Sequence, residues 1–235
     1  MSTSTSPVSH PSPVQSRTPR IVQLVIQVVI LGGATFLAAG TLRWPWAWTY
    51  IAIFVLVLAI NLLVLPAELI AERGRAKPNV KPWDRKLTAA MLAFTLLLLV
   101  VAGLDRRFGW TAPYPTWVHA AALIGWIAGQ ALVTWSMTAN RFFSTMVRIQ
   151  GDRGHAVAST GPYRYVRHPG YVGISLFTFF IPLVLGSWWA LLPALAVVAV
   201  LVVRTALEDR TLHAELAGYS DYAQQTRHRL IPGLW

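Results

Sequence analysis

Apolar residues in this chain recur in runs too long and too free of charge for a water-soluble fold to hide. A helix needs about 20 predominantly apolar residues to cross the hydrocarbon core of a bilayer. Runs that meet or approach this length lie at 21–42, 48–65, 87–104, 117–137, 171–185 and 188–203. Hydrocarbon cannot satisfy a bare N–H or C=O, so each run has to close its hydrogen bonds internally as a helix. The fold class expected is therefore all-α, a polytopic integral membrane bundle of about six spans. The last two runs are short and separated by little more than Gly186 and Ser187, so they predict a tight C-terminal helical hairpin. Pro182 and Pro193 fall near its tip, where a broken helical hydrogen bond matters least. Only 12% of residues are charged, against about 25% in a soluble domain.

The charges that remain decide orientation. The 20 Lys and Arg outnumber the 9 Asp and Glu, for a net charge of +11. They lie in short loops between apolar runs, which suits anionic lipid head groups and excludes a nucleic-acid face. With six spans, 17 of the 20 basic residues fall on one side of the membrane. The positive-inside rule then makes both termini cytoplasmic, together with the 138–170 loop. Trp44, Trp46, Trp48, Trp110, Trp117, Trp188 and Trp189 border the apolar runs, where an interfacial aromatic belt belongs. Residues 1–20 are rich in Ser, Thr and Pro and are expected to be a disordered cytoplasmic tail. Arg17 and Arg20 ahead of the first run imitate a signal peptide, but the run is long and more spans follow, so an uncleaved first span is expected.

Much chemistry is excluded. Cysteine is absent, which removes disulfides, a thiolate nucleophile and a cysteine zinc site. The six His lack metal-ligand spacing, so no metal is expected. No GxSxG, P-loop or GxGxxG is present.

Two stretches stand out. The first, HAVASTGPYRYVRHPGYVG at 155–173, is a turn followed by a helix start. Gly161-Pro162 breaks the chain, His168 before Pro169 is pushed toward extended backbone, and Pro169 suits a first helical turn. Such a helix N-terminus aims N–H groups at the cytoplasmic interface, ready for a carboxylate. Its bland alternative is a basic loop that anchors a span. The second, RTALED at 204–209, puts Arg204 and Glu208 on one helix face at the cytoplasmic end of the last span. Snorkelling or a surface ion pair would explain it, yet carboxylates at the hydrocarbon boundary are costly and usually face protein or cavity. The helix is expected to reach Gly218 as its C-cap. Glu68 and Glu72 share a face of a juxtamembrane segment, and Asn140-Arg141-Phe142-Phe143 is expected to anchor at the interface rather than form a lid.

These residues resemble the signature of the isoprenylcysteine carboxyl methyltransferases and their phospholipid methyltransferase relatives. The resemblance rests on His155…Gly161-Pro162-Tyr163…Arg167-His168-Pro169-Gly170-Tyr171-Val172-Gly173. After one helical hairpin it continues as Arg204…Glu208-Asp209…Leu212…Tyr219…Tyr222…Arg227…Pro232. Upstream, only the ELIAER…WDR loop is similar. The resemblance implies a pocket for S-adenosyl-L-methionine on the cytoplasmic side, capped by the C-terminal segment and reached by a lipophilic acceptor from the bilayer. By position it implies that His155, Tyr163, His168 and Tyr171 contact the cofactor. Glu208 would meet the cofactor's ammonium or orient the acceptor, and Arg167 and Arg204 would be the charges nearest the transferred methyl. Asp209 stands where a second Glu is common, which keeps the charge and shortens the reach.

The expected division is a tail at 1–20, N-terminal spans at 21–137 and a methyltransferase core at 138–235 holding cofactor loop, hairpin and cap. The expected activity is S-adenosylmethionine-dependent methylation at the membrane, with a prenylated cysteine carboxylate favoured over a phospholipid amine or small thiol. A carboxylate needs only clamping, whereas an amine needs a proton removed, a task for Glu208 or His168. An NADPH-dependent membrane reductase is the alternative enzyme, since sterol reductases carry a related Arg-His-x-x-Tyr pattern. Pro169 and the Glu208-Asp209 pair favour methyl transfer. A non-enzymatic bundle fits less well, because polar groups gather at one face and avoid the span centres.

Overall fold

A computed structural model describes residues 18–75 and 79–235, so most of the expected tail, 1–17, lies outside the described residues. Among the described residues the chain forms eight α-helices and no strand. They are α1 (Thr18–Ala39), α2 (Pro45–Val64), α3 (Ala67–Gly74), α4 (Pro82–Phe108), α5 (Thr116–Ala139), α6 (Pro169–Leu185), α7 (Leu191–Glu215) and α8 (Tyr219–Gln225). Five of these are long and apolar enough to cross a membrane, and α6, with 17 residues, is the shorter apolar helix of the hairpin. The protein is a polytopic membrane bundle.

Starts and stops follow local chemistry. Proline opens α2, α4 and α6, where its missing N–H costs nothing. Gly109 and Gly186 end α4 and α6 in the left-handed conformation, at φ 68° and 79°. The hairpin differs from the expected one at its tip. Trp188, Trp189 and Ala190 belong to the turn, not to the last span, and α7 starts at Leu191. Pro182 sits in the last turn of α6, and its carbonyl accepts the Ser187 N–H at 2.9 Å. At the other end α7 stops at Glu215 with Leu216 as its cap, and Gly218 instead opens α8 at φ 78°.

Packing is inverted relative to a soluble protein. Leu37 and Leu63 are 82% and 86% exposed, as lipid-facing residues should be, while glycines allow the closest approaches between helices. A Cβ on Gly129 would lie 2.8 Å from the Gly173 carbonyl, and one on Gly173 would lie 2.7 Å from that of Gly129. Those two positions let α5 and α6 approach backbone to backbone. That contact fixes where α6 begins, and with it His168 and Tyr171.

The two ends of the bundle differ in kind. At one end all seven belt tryptophans gather, Trp44, Trp110, Trp188 and Trp189 in the turns joining α1 to α2, α4 to α5 and α6 to α7, and Trp46, Trp48 and Trp117 in the first turns of α2 and α5. Here Asp105, only 2% exposed, accepts the Thr111 N–H and hydroxyl, each at 2.7 Å, and the Ser187 hydroxyl at 2.5 Å, which ties the hairpin tip to the α4–α5 loop. The opposite end holds α3, the 140–168 loop and α8. Glu72 on α3 pairs with Arg148 at 3.0 Å and Glu68 with Arg153 at 2.8 Å, and Gln23 of α1 donates to the Gly74 carbonyl at 3.1 Å. The start of α1 therefore shares this end with the C-terminal segment.

This arrangement predicts the labelling pattern of single cysteines placed in a chain that has none of its own. Ser159→Cys and Gln224→Cys should react with an impermeant maleimide from the same side of sealed vesicles, and Ala112→Cys from the other. Reaction of Ala112→Cys on the same side as Gln224→Cys would refute the six-crossing arrangement.

Candidate active site

The loop 140–168 folds back over the start of α6 and the end of α7, and between them lies a pocket with a cavity of about 100 Å³. Every site residue expected from sequence lines it: His155, Tyr163, Arg167, His168, Tyr171, Arg204 and Glu208.

Their settings differ. The His155 ring leans on Phe142 with centroids 4.7 Å apart, and its Nδ1 accepts the Gln150 N–H at 3.3 Å. Burial, then the charges of Arg148 and Arg153, push its pKa down to about 4, so it is a neutral acceptor at ordinary pH. The Tyr163 hydroxyl accepts the Asn140 amide at 3.2 Å, and its carbonyl accepts the Tyr222 hydroxyl at 2.7 Å. Burial raises the pKa of both phenols, that of Tyr222 to about 12, so both keep their protons.

Arg167 is bound up in the cap. Its Nε and Nη2 donate to the two oxygens of Asp209 at 2.8 and 3.1 Å, and its Nη1 donates to the carbonyls of Thr226 and Arg227 at 2.9 and 2.7 Å. Burial lowers its pKa, but the bonds and charge of Asp209 outweigh that and raise it. Asp209 also accepts the Tyr219 hydroxyl at 2.8 Å and Arg229 Nε at 2.7 Å, with His168 Nε2 at 3.3 Å. The backbone repeats the bond, since Arg167 and His168 N–H donate to the carbonyls of His228 and Arg229 at 2.9 and 3.0 Å. Asp thus reaches every partner this cap offers, despite being shorter than Glu.

His168 and Tyr171 stack nearly parallel, at 5° and 5.7 Å between centroids. The Tyr171 and Val172 N–H groups return to the His168 carbonyl at 3.0 and 3.2 Å, so part of the expected helix-end donor set is spent on the cap. The Tyr171 hydroxyl donates to Glu208. Glu208 makes no ion pair among the described residues. Arg204 shares a helix face with Glu208 but pairs elsewhere. Its Nε and Nη2 meet the two oxygens of Asp84 at 2.7 and 3.2 Å, and Nη2 also reaches the Thr145 carbonyl at 3.1 Å. Its guanidinium lies 5.4 Å above the Tyr171 ring.

Sequence reasoning gave Asp84 no role beyond the WDR likeness. It is fully buried, and it also accepts the Val147 N–H at 2.7 Å, which fixes the pocket rim. The available signal was a lone carboxylate opening one apolar run and a lone arginine closing another on the same side. Asn140, Phe142 and Phe143 line the pocket, where an interfacial anchor was expected. Glu72 is a buried partner of Arg148, where a juxtamembrane surface was expected.

Residues 121–214 match the family model of the isoprenylcysteine carboxyl methyltransferase (ICMT) family. The matched segment runs from within α5 to the end of α7 and contains every expected site residue. No curated protein is matched by the chain. The ICMT match and the apolar helices together support a membrane methyltransferase.

Two outcomes follow from the geometry. Asp84→Ala leaves Arg204 buried and unpaired and should cost about 3–5 kcal/mol of stability; Asp84→Ala with Arg204→Met should recover much of the loss in thermal denaturation. His155 takes its proton near 6.5 when unfolded and near 4 when folded, so it favours the folded state fully above pH 6.5. That contribution fades as pH falls from 6.5 to 4 and then levels. Subtracting the pH–stability curve of His155→Gln from the parent curve should show this slope.

Proposed function

We propose that the protein is an S-adenosylmethionine-dependent methyltransferase working at the cytoplasmic membrane face on a lipophilic acceptor, with O-methylation of a prenylated cysteine carboxylate favoured. The observation that carries this reading is Glu208. It is a carboxylate in the pocket wall with no cation paired to it among the described residues, beside two arginines whose own carboxylates, Asp84 and Asp209, are already engaged. A cationic ligand would complete it. Phe142, Val157, Leu212 and Leu216 add an aromatic and apolar wall, and Asn140 and Gln150 add amides, which suits a ligand that joins a base to a charged amino-acid end.

When bound, S-adenosylmethionine would supply a methyl group activated by its sulfonium sulfur, for transfer to the acceptor oxygen with a neutral thioether as the leaving group. The chain's own residues provide placement. Glu208, oriented by Tyr171, holds positive charge. Arg204, its planar fork locked by Asp84, keeps a fixed cation over Tyr171 toward which an anionic acceptor is drawn. Arg167 acts through Asp209 as the residue that positions His168 and closes the cap. The capping segment keeps water from the nucleophile. The working core is assigned to 138–235, with α3 and α4 of the N-terminal spans bracing it through Glu72 and Asp84.

Calorimetry on detergent-purified protein should detect S-adenosylmethionine binding and no NADPH binding. His168→Ala and Tyr171→Ala should weaken it without abolishing folding. Arg204→Lys should cut turnover at least about tenfold, roughly 1.4 kcal/mol, while the cofactor Kd changes far less, because Lys keeps the charge and loses the fork. Binding of NADPH in place of S-adenosylmethionine would overturn the assignment, and near-normal turnover in Arg204→Lys would reduce Arg204 to an anchor.

A further inference from the structure

One half-buried cation beside the pocket has no counter-charge among the described residues. Arg148, Arg167 and Arg204 each meet a carboxylate, in Glu72, Asp209 and Asp84. Arg73, on the last turn of α3, meets none. Its Nη1 is sealed from solvent and has no hydrogen-bond partner, and the side chain forms no ion pair among the described residues. Its neighbour Glu72 is taken by Arg148. What Arg73 has is the face of Phe143, with its Cζ 5.4 Å from the ring centroid. Burial, then the charge of Arg20, push its pKa down to about 9, which leaves it a cation at physiological pH. A sealed guanidinium N–H is usually given a partner, because its desolvation otherwise goes uncompensated.

The location says what would compensate it. Phe143 lines the pocket, and its ring tip occupies the notch left by Gly170, where a Cβ would lie 2.5 Å from Cε2. One aromatic ring therefore separates Arg73 from the pocket at the point where α6 begins. Around it is an apolar corner: Leu65, Leu69, Ile70, Val133 and Met137, with Ile174 packed against them. Just outward, Leu63 and Val64 at the end of α2 are 86% and 55% exposed, so the corner abuts lipid. A half-buried cation with one sealed, unpartnered nitrogen, an apolar corner open to the bilayer and a single movable ring before the pocket together fit an amphiphile with an anionic head and an apolar tail.

We propose that Arg73 is the acceptor-recognition residue, whose guanidinium receives the carboxylate of the lipophilic acceptor, with Phe143 as the partition that moves aside. This rests on the methyl-transfer reading for its meaning. It differs from that reading in placing the choice of an acid over an amine on α3, outside the cofactor pocket.

The test compares binding of S-farnesyl-N-acetylcysteine with binding of its carboxamide to the full chain in nanodiscs of neutral lipid, by titration calorimetry without cofactor. The parent protein should bind the acid at least about tenfold tighter than the amide. Arg73→Gln should erase that preference and leave S-adenosylmethionine affinity unchanged, and Arg73→Lys should keep part of it. Thermal melting checks that each variant is folded, and the Lys variant carries the test if the Gln variant is not. A preference that survives in Arg73→Gln, or is missing from the parent, overturns the assignment and leaves methyl transfer standing. Failure to bind S-adenosylmethionine removes the methyl-transfer reading, while the acid-to-amide ratio still decides Arg73. If Arg73→Gln instead loses stabilisation by added phosphatidylglycerol while the acid preference persists, the guanidinium serves a lipid phosphate and the proposal falls.

Discussion

The carboxylate of Asp209 is where the loop before α6, the end of α7, α8 and the C-terminal segment meet. Two oxygens accept from Arg167, Arg229 and Tyr219, with His168 at the edge, and nearly all of this is buried. A buried charge is stable only when it is fully answered, so these partners form a set in which the loss of one strands the others. The pocket has a roof because this set closes. Backbone bonds from Arg167 and His168 to His228 and Arg229 run alongside it and make the C-terminal segment part of the site wall.

A second buried pair does the same for the pocket's other side. Arg204 and Asp84 come from α7 and α4, and through Thr145 and Val147 they fix the rim of the 140–168 loop. Both pairs sit at one end of the bundle, where the hydrocarbon gives way to head groups and a charge can be answered by protein and water together. Glu208 and Arg73 are the exceptions to this saturation. Two charges of opposite sign, each without a counter-ion among the described residues and both close to one pocket, leave room there for two charged partners.

Much of the fold was legible from the chain itself. The absence of charge over about 20 residues at a time forces helices, because hydrocarbon leaves no other way to satisfy the backbone. Prolines and glycines mark several of the helix ends. Two stretches on one side, through the family resemblance they carry, gave seven of the residues that line the pocket. These are local properties, carried by spacing and side-chain chemistry.

What the tertiary structure decided was which charge answers which. Arg204 and Glu208 stand one turn apart and look like partners, yet Arg204 turns to Asp84, 120 positions away, and Glu208 to Tyr171. Glu72, whose spacing suggested a surface, is buried because Arg148 comes to meet it from a loop 76 positions on. The tip of the hairpin differs because Ser187 and Trp188 are held by Asp105 of α4 and Thr111 of the α4–α5 loop. A linear pattern records the cost of placing a charge near hydrocarbon, and so where functional groups gather. It does not record the partner that repays that cost, because the partner is chosen by helix packing, at Gly129 against Gly173 above all, which brings distant segments to one end of the bundle.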